Sequence, residues 1–180
     1  MSKFIISNLQ PASELALQQG TYIVLLNVRD VPPHLLLLTH GELFSLSTKG
    51  PKLHLPLDIQ LKYIKSKRVP SVFIKLKTNV HVLDGIVYTQ AVNSTLAFNK
   101  TDVGFATCLS PIKVFCEAIF NIPLQDVNFV YDLVPILDSK GLVDGYYEFF
   151  LQKYMIGDTF SMPKYSMQDI YDSISNAIPV

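Results

Sequence analysis

The chain has 180 residues and carries 15 basic and 15 acidic side chains, so its formal net charge is zero. Charged residues make up 17% and hydrophobic residues 49%, which excludes an intrinsically disordered chain. It also argues against a nucleic-acid partner, because no excess of positive charge exists to neutralise phosphates. The length predicts one compact domain over residues 1–180.

The mean hydropathy is +0.28, which raises the question of a membrane segment. Apolar runs such as Leu35–Leu38 are much shorter than the roughly 20 residues that a spanning helix needs. The first residues lack the apolar core of a signal peptide, and two cysteines do not make a disulfide framework. We therefore expect a soluble, cytoplasmic protein with reduced thiols and no transmembrane segment. The apolar surplus predicts a surface that binds a protein partner or a second copy of the chain.

The first predicted elements are a short helix over residues 11–19, ended by Gly20, and a buried strand over Tyr22–Val28. Two apolar runs, His34–Thr39 and Glu42–Ser47, then flank His40-Gly41 and predict a β-hairpin.

In the hairpin register set by this two-residue turn, Thr39 pairs with Glu42 and His34 falls opposite Ser47. Because side chains alternate along a strand, Ser45 and Ser47 share one face with His34.

The rest of the chain alternates between predicted strands and helices. Its strands are an edge strand at 52–55, a strand at 72–76 and a last strand at 145–151. Its helices are placed at 57–65, 83–97, 107–119, 129–137 and 167–178.

Cys108 is the first candidate for chemistry, because it opens the predicted helix at 107–119 with Thr107 as N-cap. Unpaired N–H groups and the helix dipole favour the reactive thiolate there. The alternative is a small buried hydrophobic residue, which is also the interpretation of Cys116. His34 is the second candidate, with a solvated strand end as its alternative. The scattered histidines and lone glycines predict neither a metal site nor a cofactor loop.

Two sequence segments resemble those of a known family. They are His34–Ser45, a histidine that begins an apolar strand and hairpin, and Thr107–Phe115, a cysteine that opens a helix. Their order is similar to that of the circularly permuted NlpC-type, papain-like cysteine hydrolases, whose wider group includes lecithin retinol acyltransferase. The resemblance covers about residues 15–140 and leaves 141–180 as a C-terminal extension of a strand and a helix.

The resemblance implies an α+β papain-like fold, in which an antiparallel sheet or small barrel packs against a cysteine-bearing helix. It implies Cys108 as nucleophile and His34 as base, and it assigns Ser45 or Ser47 to orient the imidazole. The family usually has a stronger polar residue at that third position, and His54 on the next strand is another candidate for it.

The function implied is a thiol hydrolase or acyltransferase of peptidase or amidase type, acting on a peptide, another amide or a lipid ester. The first alternative is a catalytically inactive binding or assembly module on the same fold, and the second is an unrelated α+β interaction protein. The aromatic residues between 146 and 154 are expected in the core, in a substrate groove or at a dimer face.

Overall fold

The computed structural model describes residues 3–78 and 82–177, so His81 and the end of the last predicted helix lie outside the described residues. Within that part of the chain the fold is α+β. Its strands are β1 (Lys3–Ile6), β2 (Leu9–Pro11), β3 (Thr21–Leu26), β4 (His34–Thr39), β5 (Glu42–Ser47), β6 (Gly50–Pro56), β7 (Ser71–Leu76), β8 (Val143–Phe149) and β9 (Phe160–Pro163). Its helices are α1 (Glu14–Gln19), α2 (Leu57–Lys67), α3 (Asp84–Leu96), α4 (Ser110–Phe120), α5 (Val130–Ser139) and α6 (Met167–Asn176).

Seven of the described strands form one open sheet in the order β2-β8-β7-β3-β4-β5-β6, and β1 pairs with β9 in a second, two-stranded sheet. Every pairing in the large sheet is antiparallel except β2 with β8, which is parallel. The expectation of a purely antiparallel sheet or a small barrel is therefore wrong. The N-terminal segment runs alongside β8 in the same direction, and β2 and β6 remain as the two edges.

The central hairpin has the predicted bounds, because His40 and Gly41 both adopt the positive φ that its two-residue turn requires (53° and 71°). Its ladder runs from Thr39↔Glu42 to Leu37↔Phe44 and goes no further. The pairing of β5 with β6 shifts register between Leu43 and Ser45, where Leu53 and His54 of β6 lie opposite the single residue Phe44, so the bulge is in β6. The predicted pairing of His34 with Ser47 is therefore absent, and the hairpin is open at the end where β4 begins.

The leucine run of β4 is buried on both faces of the sheet. Leu35 and Leu37 belong to a core that includes residues of α4 and α5, whereas Leu36 and Leu38 pack with residues of α2. A central strand covered by helices on both sides explains why this segment reads as continuously apolar. Much of the chain's apolar surplus is therefore core.

Two predicted helices begin later than expected. Leu9–Pro11 is β2, so α1 begins at Glu14. α4 begins at Ser110, with Leu109 as its N-cap and a proline at its second position. Cys108 consequently lies in the turn before the helix, and the prediction that Thr107 caps the helix is wrong. Among the described residues, no helix has both the length and the apolarity to cross a bilayer.

Candidate active site

A pocket of about 180 Å³ lies at the open end of the hairpin. Its walls come from the Pro-Pro corner and start of β4, the end of β5, the segment before α4, and α6. The lining residues are Pro32, Pro33, His34, Leu35, Leu46, Ser47, Thr48, Thr101, Thr107, Cys108, Leu109, Asn128, Tyr165, Ile170, Ser173, Ile174 and Ala177. The pocket thus contains both of the principal residues predicted from sequence, and its lining is mostly apolar.

Cys108 is half-buried and packs against the core that contains Leu35. Burial raises the pKa of its thiol, and the backbone N–H groups of Leu35, Cys108 and Leu109 oppose that rise. Burial is the larger effect, so the resting group is a neutral thiol at neutral pH. This differs from the thiolate expected at a helix N-terminus, because the residue lies before the first turn and away from water.

The turn that carries Cys108 is held by its own neighbours. The backbone N–H of Thr107 donates to Ser110 Oγ at 2.9 Å, and the N–H of Leu109 donates to Thr107 Oγ1 at 3.2 Å. These two bonds satisfy donors next to the helix start and fix the backbone on both sides of the cysteine. Cys116, by contrast, is fully buried within α4, as predicted, and burial raises its pKa strongly.

His34 begins β4 and is solvent-exposed at the rim of the pocket. Surrounding protein lowers the pKa of its imidazole, and the positive charge of Lys52 lowers it further. The ring is therefore neutral at neutral pH and able to accept a proton. Because side chains alternate along β4, His34 lies on the same face of the sheet as Leu36. Cys108 packs on the opposite face, with Leu35. Among the described residues, the thiol and the ring are not hydrogen-bonded to each other.

The two serines differ in their relation to the pocket. Ser47 lines it, but its hydroxyl donates to the Gly50 carbonyl at 3.1 Å and accepts from the Lys49 N–H at 3.3 Å. Ser45 is buried on β5 next to the bulge of β6 and is not among the lining residues. In the part of the chain that the structure describes, neither hydroxyl is hydrogen-bonded to the His34 ring. The hydrogen bond by which Ser45 or Ser47 was predicted to orient the ring is therefore not formed.

His54, the other candidate orienter, lies at the far end of the hairpin. Its Nδ1 is 2.8 Å from Glu42 Oε2, and the Tyr88 hydroxyl donates to the same oxygen at 2.7 Å. Glu42 pairs with Thr39, five residues along β4 from His34, or about 17 Å at strand spacing. This cluster joins α3 to the hairpin and leaves His34 without a partner from it.

Sequence reasoning missed the wall that the C-terminal segment contributes. Tyr165 is buried in the lining, and burial raises its pKa, as does the nearby Cys108. Its hydroxyl is therefore protonated, and Tyr165 and Cys108 line the same pocket. Ile170 and Ile174 of α6 complete the wall. The sequence signal was the capping box of Ser166 and Asp169 followed by apolar residues four positions apart.

The aromatic segment between 146 and 154 packs against the core, which is the first of the three locations expected for it. Tyr147, Phe149 and Phe150 pack against the core on the α2 side, and Tyr146 packs against the other core. Tyr154 lies outside the pocket, with the Arg29 guanidinium 4.1 Å from its ring centroid.

No protein-family model, curated protein or solved structure that was compared with the chain matches it.

Proposed function

We propose that the protein is a thiol-dependent acyl-transfer enzyme, a hydrolase or acyltransferase of amide or ester bonds that resembles the permuted NlpC-type, papain-like hydrolases. The observation that carries the proposal is that Cys108 and His34, far apart in sequence, line one pocket. A thiol and a neutral imidazole in one pocket are the minimum groups for acyl transfer through a thioester.

The directions of the two pKa shifts define the resting state. The thiol keeps its proton and the imidazole is free to accept one. Cys108 is therefore the nucleophile in its thiol form, and His34 activates it as a general base by accepting its proton during the attack. The mechanism requires the exposed His34 ring to turn toward the thiol when substrate fills the pocket, since catalytic hydrogen bonds often form only in the complex.

The reaction has two halves. His34 accepts the thiol proton while Cys108 Sγ attacks the carbonyl carbon, and the imidazolium then protonates the leaving amine or alcohol, which leaves a thioester on Cys108. Water, or an acceptor amine or alcohol, next attacks the thioester with His34 as base, and the proton returns to Cys108. The Cys108 backbone N–H and the protonated Tyr165 hydroxyl donate to the developing oxyanion.

The lining favours substrates with an apolar acyl group. Leu46, Ile170 and Ile174 face the cavity, and the lining residues carry no acidic side chain that would bind a cationic substrate. A peptide with an apolar side chain, another amide and a lipid ester all fit this chemistry.

The test is covalent trapping with 4-nitrophenyl butyrate as the probe. The protein is mixed with the ester, quenched in acid and digested, and the peptide that contains Cys108 is examined for the mass of one added butyryl group. We expect acylation at Cys108 together with a burst of nitrophenol equal to the enzyme concentration. His34→Gln is expected to slow the burst by roughly 100-fold or more.

Cys116→Ala is the matched control, because it removes the other thiol and leaves the pocket intact. It is expected to acylate like the unmodified chain, while Cys108→Ala gives no adduct. An adduct on Cys116 at the same rate, or a burst unaffected by His34→Gln in a folded protein, would contradict the dyad. Either result would favour the non-catalytic binding module.

A further inference from the structure

The five-residue turn at Asp102–Ala106 exposes the largest apolar side chain on the surface next to the pocket. Phe105 is 88% exposed and Val103 is 41% exposed. Both lie between Thr101 and Thr107, which line the pocket, so the turn projects beside the pocket mouth. Exposing a Phe side chain to water is unfavourable, and burying it in an apolar environment would lower the free energy.

The turn is rigid, and its exposure does not come from a loose loop. Asp102 and Ala106 exchange two backbone hydrogen bonds, at 2.8 and 3.1 Å, and the Phe105 N–H donates to the Asp102 carbonyl at 3.2 Å. Gly104 occupies the left-handed conformation at φ +79°, which closes the turn. The backbone thus holds Phe105 outward at a protruding tip.

Exposed lysines lie next to the segments that hold the base of this turn. Lys100 precedes it and is exposed, and the Thr101 N–H donates to the Ser47 carbonyl at 2.9 Å. That bond brings the turn beside exposed Lys49, which follows Ser47 by two residues. Lys52 is also exposed on this side, close enough to His34 to lower its pKa. Asp102 is the one acidic residue within the turn.

We propose that the 102–106 turn docks the protein on an anionic phospholipid surface, with Phe105 and Val103 inserted among the lipid headgroups. An aromatic tip is suited to the membrane interface, and lysines close to an anionic bilayer are attracted to its surface. An exposed apolar tip with lysines near its base matches the apolar interior and the negative charge of an anionic bilayer. Docking in this orientation brings the pocket mouth to the membrane surface.

The experiment is co-sedimentation of the full chain with large vesicles of pure phosphatidylcholine or of mixed phosphatidylcholine and phosphatidylserine. We expect binding to the mixed vesicles and little to the pure ones. Phe105→Ser is expected to weaken binding on the order of tenfold, and Lys49→Glu with Lys100→Glu to abolish the preference for phosphatidylserine. Because Phe105 is exposed, its replacement leaves the fold intact, which circular dichroism checks.

Leu15→Ser is the matched control, since Leu15 is 74% exposed on α1 beside an acidic residue. It is expected to bind vesicles like the unmodified chain, and so is Cys108→Ala, which keeps this proposal separate from the catalytic one. Equal sedimentation of Phe105→Ser and the unmodified chain would overturn the proposal. So would a change from dimer to monomer in Phe105→Ser without vesicles, which would assign the turn to a protein interface.

Discussion

The backbone N–H of Thr101 donates a 2.9 Å hydrogen bond to the carbonyl oxygen of Ser47. Ser47 would face His34 if the hairpin ladder continued, but that ladder ends at Leu37↔Phe44. The end of β5 is therefore tied to the segment that leads to Cys108 rather than to β4. One bond thus helps to keep the hairpin open and anchors the cysteine's segment against it, which creates the pocket.

Removing the Tyr165 hydroxyl tests its contribution to the proposed acyl transfer. Tyr165→Phe is expected to lower kcat by 10-fold or more, roughly the effect of deleting one oxyanion donor, with a smaller change in KM. Burst kinetics measures the effect, and urea unfolding checks that the variant keeps its fold. An unchanged kcat would place Tyr165 in a packing role only.

The pH dependence of acylation reports the state of His34. Desolvation by the surrounding protein and then the charge of Lys52 lower the pKa of the imidazole below its usual 6.5. Only the neutral ring accepts the thiol proton, so the acylation rate is lost as pH falls through that lowered pKa. We expect a midpoint below 6.5 that moves upward in Lys52→Gln, because the like charge is gone. A midpoint above 6.5 would contradict the assigned base.

The Glu42–His54–Tyr88 cluster predicts a stability effect without an effect on the pocket. Hydrogen bonds from Tyr88 and then His54 lower the pKa of Glu42 below its usual 4.5. Its stabilisation is therefore present above pH 4.5 and is lost as pH falls through the lowered pKa.

Glu42→Gln should thus reduce the free energy of unfolding at pH 7 by no more than about 1 kcal/mol, since the carboxylate is partly exposed. The difference from the unmodified chain should shrink below pH 4.5. Urea unfolding at the two pH values measures it. A difference that grows on acidification would show that the cluster does not stabilise the ionised carboxylate.

Shortening the α6 wall should change both stability and selectivity. Ile174 is 7% exposed and lines the pocket. Ile174→Ala is expected to cost about 2 kcal/mol, the low end for such a truncation because the site borders an existing cavity. The larger pocket should raise kcat/KM for 4-nitrophenyl octanoate relative to the butyrate. An unchanged ratio would show that the acyl group does not contact α6.

Much of the secondary structure could be predicted from local sequence. The hairpin bounds follow from His40-Gly41, and α2 and β7 follow from their apolar periodicity. The three-residue β2 was not predictable, because a strand this short depends on its partner β8 rather than on its own residues. The start of α4 was placed too early because Thr107 uses its hydroxyl within the preceding turn.

The sequence by itself determined the pair of candidate groups, Cys108 and His34, and the apolar strands that place them, since residue type and alternation are local properties. The tertiary structure decided what surrounds them. The ladder between β4 and β5 ends at Leu37↔Phe44, α6 supplies the second wall, and desolvation by the surrounding segments sets the protonation of both groups. These depend on contacts between segments distant in the chain, which a local pattern does not encode.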